Sequence, residues 1–178
     1  MPREALFATT GVLWCARSVA SFSDPAINPE SGWDWFAVVS YSVALVALAL
    51  ALPSFARLVG HRIPTGIALV TSAGAVVGGV GNLLEDGLQL SWAGDWVYFP
   101  GVALVGLGLV ALTVTVAAYG DGAARLLAAV PGATLIGFNL LERGGGILVL
   151  AAWFAVAVVA HRADASPRSS ATQERSAT

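Results

Sequence analysis

Apolar runs of membrane-crossing length recur from one end of this chain to the other. Six are readable, at residues 5–22, 36–58, 66–84, 99–119, 124–141 and 145–160. A helix needs about 20 apolar residues to cross the hydrocarbon of a bilayer, and each run approaches that length. Backbone N–H and C=O groups find no water there, so a spanning segment is either a helix or part of a closed barrel. None of the runs alternates with the period of two that a barrel strand requires. Composition agrees: 57% of residues are hydrophobic and 11% charged, with mean hydropathy +0.76. A soluble domain carries about a quarter charged residues. The expected fold class is therefore all-α, a six-transmembrane-helix bundle over residues 1–162. Residues 163–178, polar and without apolar periodicity, are expected to form a disordered cytoplasmic tail. The first run also fits the length of a signal peptide, but Glu4 and Arg17 argue for a retained helix.

Charge sorts the connections into two sets. Arg3 precedes the first run, Arg57, His61 and Arg62 follow the second, and Arg125 lies between the fourth and fifth. His161, Arg162, Arg168 and Arg175 follow the sixth. The other connections carry Asp24, Glu30 and Asp34, then Asp95 near Glu85 and Asp86, then Glu142 with Arg143. Basic residues in short loops mark the cytoplasmic side, so both termini are expected there. Trp33, Trp35, Phe36, Trp92, Trp96, Tyr98 and Phe99 are then expected to form an aromatic belt at the outer interface. Nine Arg without a single Lys, amid abundant Ala, Val and Gly, suggest a GC-rich bacterial genome. The expected location is a bacterial inner or plasma membrane.

One polar phrase is written twice. Gly81-Asn-Leu-Leu-Glu-Asp-Gly87 returns as Phe138-Asn-Leu-Leu-Glu-Arg-Gly144, in a chain with only three Asn and five Glu. Each copy closes an outward-running helix, which predicts two duplicated hairpins in parallel orientation. At about 100° per residue, Asn82, Glu85 and Asp86 share a helix face, as do Asn139, Glu142 and Arg143. Asp86 and Arg143 hold equivalent positions with opposite charge, so an ion pair between them is expected. Arg17, inside the first run, is the other candidate partner for the third-run acids. These seven residues form either a polar clasp between hairpins or a ligand site at the outer end. Stepping inward by fours from Asn82 reaches Gly78 and Gly74, a stripe that admits a close neighbouring helix and would make the third helix central. Gly101 is expected to matter less.

The remaining residues offer little for catalysis. His61 and His161 read as boundary anchors, with no further metal ligands near them. Cys15 reads as a small hydrophobe, and neither a nucleophile triad nor a phosphate loop is present. No enzyme activity and no cofactor is expected. The partners expected are the lipid bilayer and a second copy or another membrane protein, not nucleic acid. The expected function is that of a small multi-pass membrane protein acting through helix packing or a small outer vestibule. A transporter or channel-like protein for a small solute or protons is the alternative.

Overall fold

The computed structural model describes residues 1–21 and 29–175, and the regular structure among them is helical throughout. The principal helices are α1 (Arg3–Ser21), α2 (Gly32–Val59), α3 (Arg62–Asn82), α4 (Phe99–Tyr119), α5 (Ala129–Asn139) and α6 (Gly145–Arg175). Each packs on its neighbour in the chain, and α6 returns to pack on α1, closing the bundle. Asp24, assigned from sequence to an outer connection, lies outside the described residues. The helical backbone of α6 continues past Arg162 through most of the expected tail.

Helix boundaries follow local chemistry. Ser31 caps α2 in a reciprocal box, its hydroxyl accepting from the Asp34 N–H while the Asp34 carboxylate accepts from the Ser31 N–H at 2.9 Å. Gly60, in the left-handed region, ends α2, and His61 Nδ1 then caps α3 by accepting from the Ile63 N–H. Pro131 lacks an N–H, a loss that costs nothing in the first turn, and α5 accordingly begins only at Ala129. The fifth apolar run is thereby cut into a single turn, Ala123–Leu126, and an 11-residue helix.

Among the described residues, four helical stretches are long and apolar enough to cross a membrane: Gly32–Val59, Arg62–Gly87, Ser91–Tyr119 and Gly145–Ala163. At about 1.5 Å per residue, α5 extends for only half of a hydrocarbon core. α1 has the length, but Glu4, Arg17 and its Ser and Thr residues dilute its hydropathy. Large apolar side chains nonetheless face outward along the bundle, among them Leu50, Leu69, Val70, Leu107, Val114 and Phe154. An apolar exterior around an apolar interior is the surface of a membrane protein.

Burial identifies α2 as the central helix in place of α3. Consecutive Ala47, Leu48 and Ala49 are all buried, as are Ala51, Leu52, Phe55 and Ala56, so α2 is enclosed on several faces. Phe55 meets Trp153 of α6, and Tyr41 meets Phe138 of α5. α3 keeps an open apolar face through Leu69, Val70, Val76, Val77 and Val80. Its glycines do provide a close contact, made with α4. A Cβ on Gly78 would touch Val102 at 3.4 Å, and one on Gly74 would stand 2.7 Å from the Leu104 Cβ. Backbone meets backbone at Gly101, where an added Cβ would collide with the backbone N of Gly78 and lie 2.7 Å from its Cα. Gly101, expected to matter less, is thus a partner in the contact.

Candidate functional site

The end of the bundle bearing the repeated phrase contains an open cavity of about 340 Å³. α1 contributes Arg17 and Ser21, α2 Tyr41, and α3 Asn82. Asp86 and Tyr98 enter from the connection between α3 and α4. Phe138, Asn139, Leu141 and Glu142 close the wall from the second copy of the phrase. The opposite end gathers Arg57, His61 and Arg62, with His61 stacked on Tyr119 at 4.6 Å.

Two irregular turns set the acidic side of the cavity. After Asn82 the helix widens into a π-turn, Leu83–Gly87, closed by the Leu88 N–H donating to the Leu83 carbonyl at 2.9 Å. A second π-turn, Gly94–Tyr98, runs into α4 just ahead of Pro100, which cannot donate to the carbonyl four residues back. Widened turns rotate side chains out of regular register, and here they deliver Asp86 and Tyr98 to one cavity. Glu85 does not join them. It lies against Gly94, where an added Cβ would meet its carboxylate.

The two Asn residues do different work. Asn82 is buried, and its Nδ2 donates to the Val38 carbonyl at 3.0 Å and to Ser42 Oγ at 2.9 Å. Ser42 in turn donates to the Gly79 carbonyl at 2.9 Å, so a short polar chain ties α3 to α2. Asn139 is exposed, and its Nδ2 donates to the Leu135 carbonyl of its own helix. Beyond it the chain forms a 3₁₀ turn, Leu141–Arg143, and leaves through Gly144 in the left-handed region. Two identical tetrapeptides therefore end their helices in different ways.

Arg17 is the side chain around which the cavity is organised. Its guanidinium lies over the Tyr41 ring, 5.4 Å from the centroid. Its Nε and Nη1 are buried and have no hydrogen-bond partner. Asp86 and Glu142 act on it electrostatically, yet no ion pair joins them to it among the described residues. Tyr41 and Tyr98 share a hydroxyl–hydroxyl hydrogen bond at 3.2 Å. Trp14, a turn inward from Arg17, packs edge-on against both Tyr41 and Phe138, and its own indole N–H is buried without a partner.

Of the seven residues singled out from sequence, the cavity takes Arg17, Asn82, Asp86, Asn139 and Glu142. Arg143 is exposed and outside the lining, and the expected ion pair with Asp86 is not formed among the described residues. The physical reason lies in the two turns: a π-turn and a 3₁₀ turn rotate equivalent sequence positions in different directions. Tyr41, Tyr98 and Phe138 were not anticipated as lining residues. Tyr41 is the one with a readable signal, a phenol between Ser40 and Ser42 inside the second apolar run. Among the described residues no three of His, Cys, Asp and Glu are grouped as a metal site would need.

Without a shared ion pair, Asp86→Ala and Arg143→Ala should be additive. A double-mutant cycle read by thermal unfolding in detergent should give a coupling within about 0.5 kcal/mol of zero. A coupling well above that would restore the pair.

Comparison of the chain with protein-family models, with characterised proteins and with solved structures finds no match.

Proposed function

We propose that this chain is a six-crossing membrane protein whose working part is the polar vestibule at the end bearing the repeated phrase. On this reading the vestibule faces outward, both termini are cytoplasmic, and the protein receives a small polar solute without catalysing a reaction. The duplicated hairpins α3–α4 and α5–α6 form two of its walls. Lipid covers the apolar exterior.

One observation carries the reading: a guanidinium with two buried, unpartnered N–H groups faces two carboxylates across a cavity of about 340 Å³. A purely structural clasp would close these charges onto one another, because an uncompensated charge is expensive away from water. Charges held apart around a concave space are the arrangement of a binding site. The cluster of Trp14, Tyr41 and Phe138 below Arg17 supports a blind vestibule over an open channel. A transporter would have to part those rings.

Cysteine labelling tests orientation and access together. In a Cys15→Ser background, Ser31→Cys and Asn139→Cys should react with a membrane-impermeant maleimide on intact cells. Gly60→Cys and Asp121→Cys should react only after permeabilisation. Labelling of Ser31→Cys and Gly60→Cys from one side would overturn the six-crossing topology. Protection of Asn139→Cys from both sides would overturn the open vestibule.

A further inference from the structure

The charges around the vestibule are specific enough to name a ligand class. We propose that the cavity binds a compact zwitterion, its oxyanion on Arg17 and its ammonium group between Asp86 and Glu142. The inference rests on the vestibule reading above and adds the chemistry of the occupant.

The cation side is a single group. Arg17 projects from α1, with Nε and Nη1 enclosed by protein and lacking acceptors. Arg17 nonetheless lines the cavity, and the Tyr41 ring lies against the face of its guanidinium. A guanidinium in that state favours an anionic acceptor more strongly than one in water, because the donors compete with nothing else. Among the described residues no carboxylate supplies that acceptor: Asp86 and Glu142 belong to the same cavity but form no ion pair with Arg17.

The anion side is a pair. Asp86 comes from the π-turn after α3 and Glu142 from the 3₁₀ turn after α5, so the two approach from different walls. Against a single Arg17 they leave the lining with a net formal charge of −1. A simple anion would gain Arg17 but pass two carboxylates. A simple cation would gain the carboxylates but leave the desolvated guanidinium uncompensated. Only a ligand carrying both signs a few bonds apart satisfies both sides at once.

Size and wall chemistry narrow the class further. About 340 Å³ lies at the lower limit of small-molecule sites, which suits a ligand of a few heavy atoms to about a dozen. Tyr41 and Phe138, 6.0 Å apart between ring centroids, give an aromatic flank against which a short aliphatic portion or an ammonium face can pack. Two sources share this chemistry: a free amino acid, and the ethanolamine phosphate headgroup of a lipid. L-Alanine and glycerophosphoethanolamine represent them.

The test is calorimetric titration of the full chain in detergent micelles with L-alanine, glycerophosphoethanolamine, ethylamine and propionate. At least one of the two zwitterions should bind tenfold or more tightly than both ethylamine and propionate. Preference for L-alanine assigns a free solute, and preference for glycerophosphoethanolamine assigns a headgroup. Arg17→Gln should abolish the zwitterion's advantage, and Asp86→Asn with Glu142→Gln should reduce it at least tenfold. Arg143→Gln, outside the cavity, should leave it unchanged. Because Arg17→Gln can alter folding, each variant is also followed by its elution profile and thermal midpoint. Binding of propionate or ethylamine as tight as that of the zwitterions overturns the proposal and leaves a single-charge site. So does no binding by any of the four probes to a chain whose Asn139→Cys variant labels from outside, which leaves the open vestibule standing. Protection of that cysteine together with no binding would remove the vestibule as well.

Discussion

Gly101→Leu should be among the most damaging single changes in the bundle. The Gly101 Cα faces the backbone of Gly78 so closely that even a methyl group would collide with the Gly78 N, and backbone cannot rotate aside as a side chain can. Accommodating four carbons means separating α3 from α4 along the stripe that Gly74 and Gly78 create. Overpacking of this kind costs roughly 1–3 kcal/mol and often more when backbone must move. Helix contact in lipid depends on close van der Waals packing, because there is no hydrophobic gain to replace it. Gly106→Leu, on the same helix, is the control: a Cβ there meets nothing within 4 Å. Thermal unfolding in detergent should show a clearly lower midpoint for Gly101→Leu and little change for Gly106→Leu. Gly78→Leu should lower the midpoint less than Gly101→Leu, because a Cβ there stands 3.4 Å from Val102, an ordinary contact. Equal tolerance at Gly101 and Gly106 would mean that the two helices do not approach through these glycines.

Gly101 also shows what a sequence can and cannot display. The Gly74–Gly78 spacing is written within one helix, and its consequence, a close neighbour, was legible. The identity of the neighbour was not, because nothing in α3 records which residue of α4 will face it. The helical class and the membrane-length stretches were legible for a similar reason: hydropathy over about 20 residues is a local property. An interruption of the fifth run was legible from Pro131, whereas the resulting length of α5 was not. Seven polar residues were identified as a group, and five meet in one cavity, because charges inside apolar runs have few places to go. The expected pairing of Asp86 with Arg143 assumed that identical tetrapeptides end their helices identically. That assumption failed at the turns. Nothing in Asn-Leu-Leu-Glu marks a π-turn in one copy and a 3₁₀ turn in the other. The residues beyond each copy, Gln89 with positive φ in the first and Gly144 in the second, take part in that difference.

Asn82→Ala should therefore be far more damaging than Asn139→Ala, although the two sit in the same four-residue phrase. The Asn82 amide makes two buried hydrogen bonds to α2, to the Val38 carbonyl and to Ser42 Oγ. Each is worth about 0.5–1.5 kcal/mol net, so truncation should destabilise by roughly 1–3 kcal/mol. The cavity floor should loosen with it, since Asn82 fixes the end of α3 from which the Asp86 turn departs. Asn139 makes one hydrogen bond, to its own helix and in an exposed position, and its removal should stay within about 0.5 kcal/mol. Ser42→Ala gives an internal check. Combined with Asn82→Ala it should cost less than the sum of the two single changes, because both remove the same Asn82–Ser42 bond. Matching losses at Asn82 and Asn139 would show the copies to be structurally equivalent, and additive effects at Asn82 and Ser42 would break the polar chain between α3 and α2. The predicted inequality follows from burial: the amide that crosses to another helix holds the bundle together, and the amide that turns back on its own helix is free to face the vestibule.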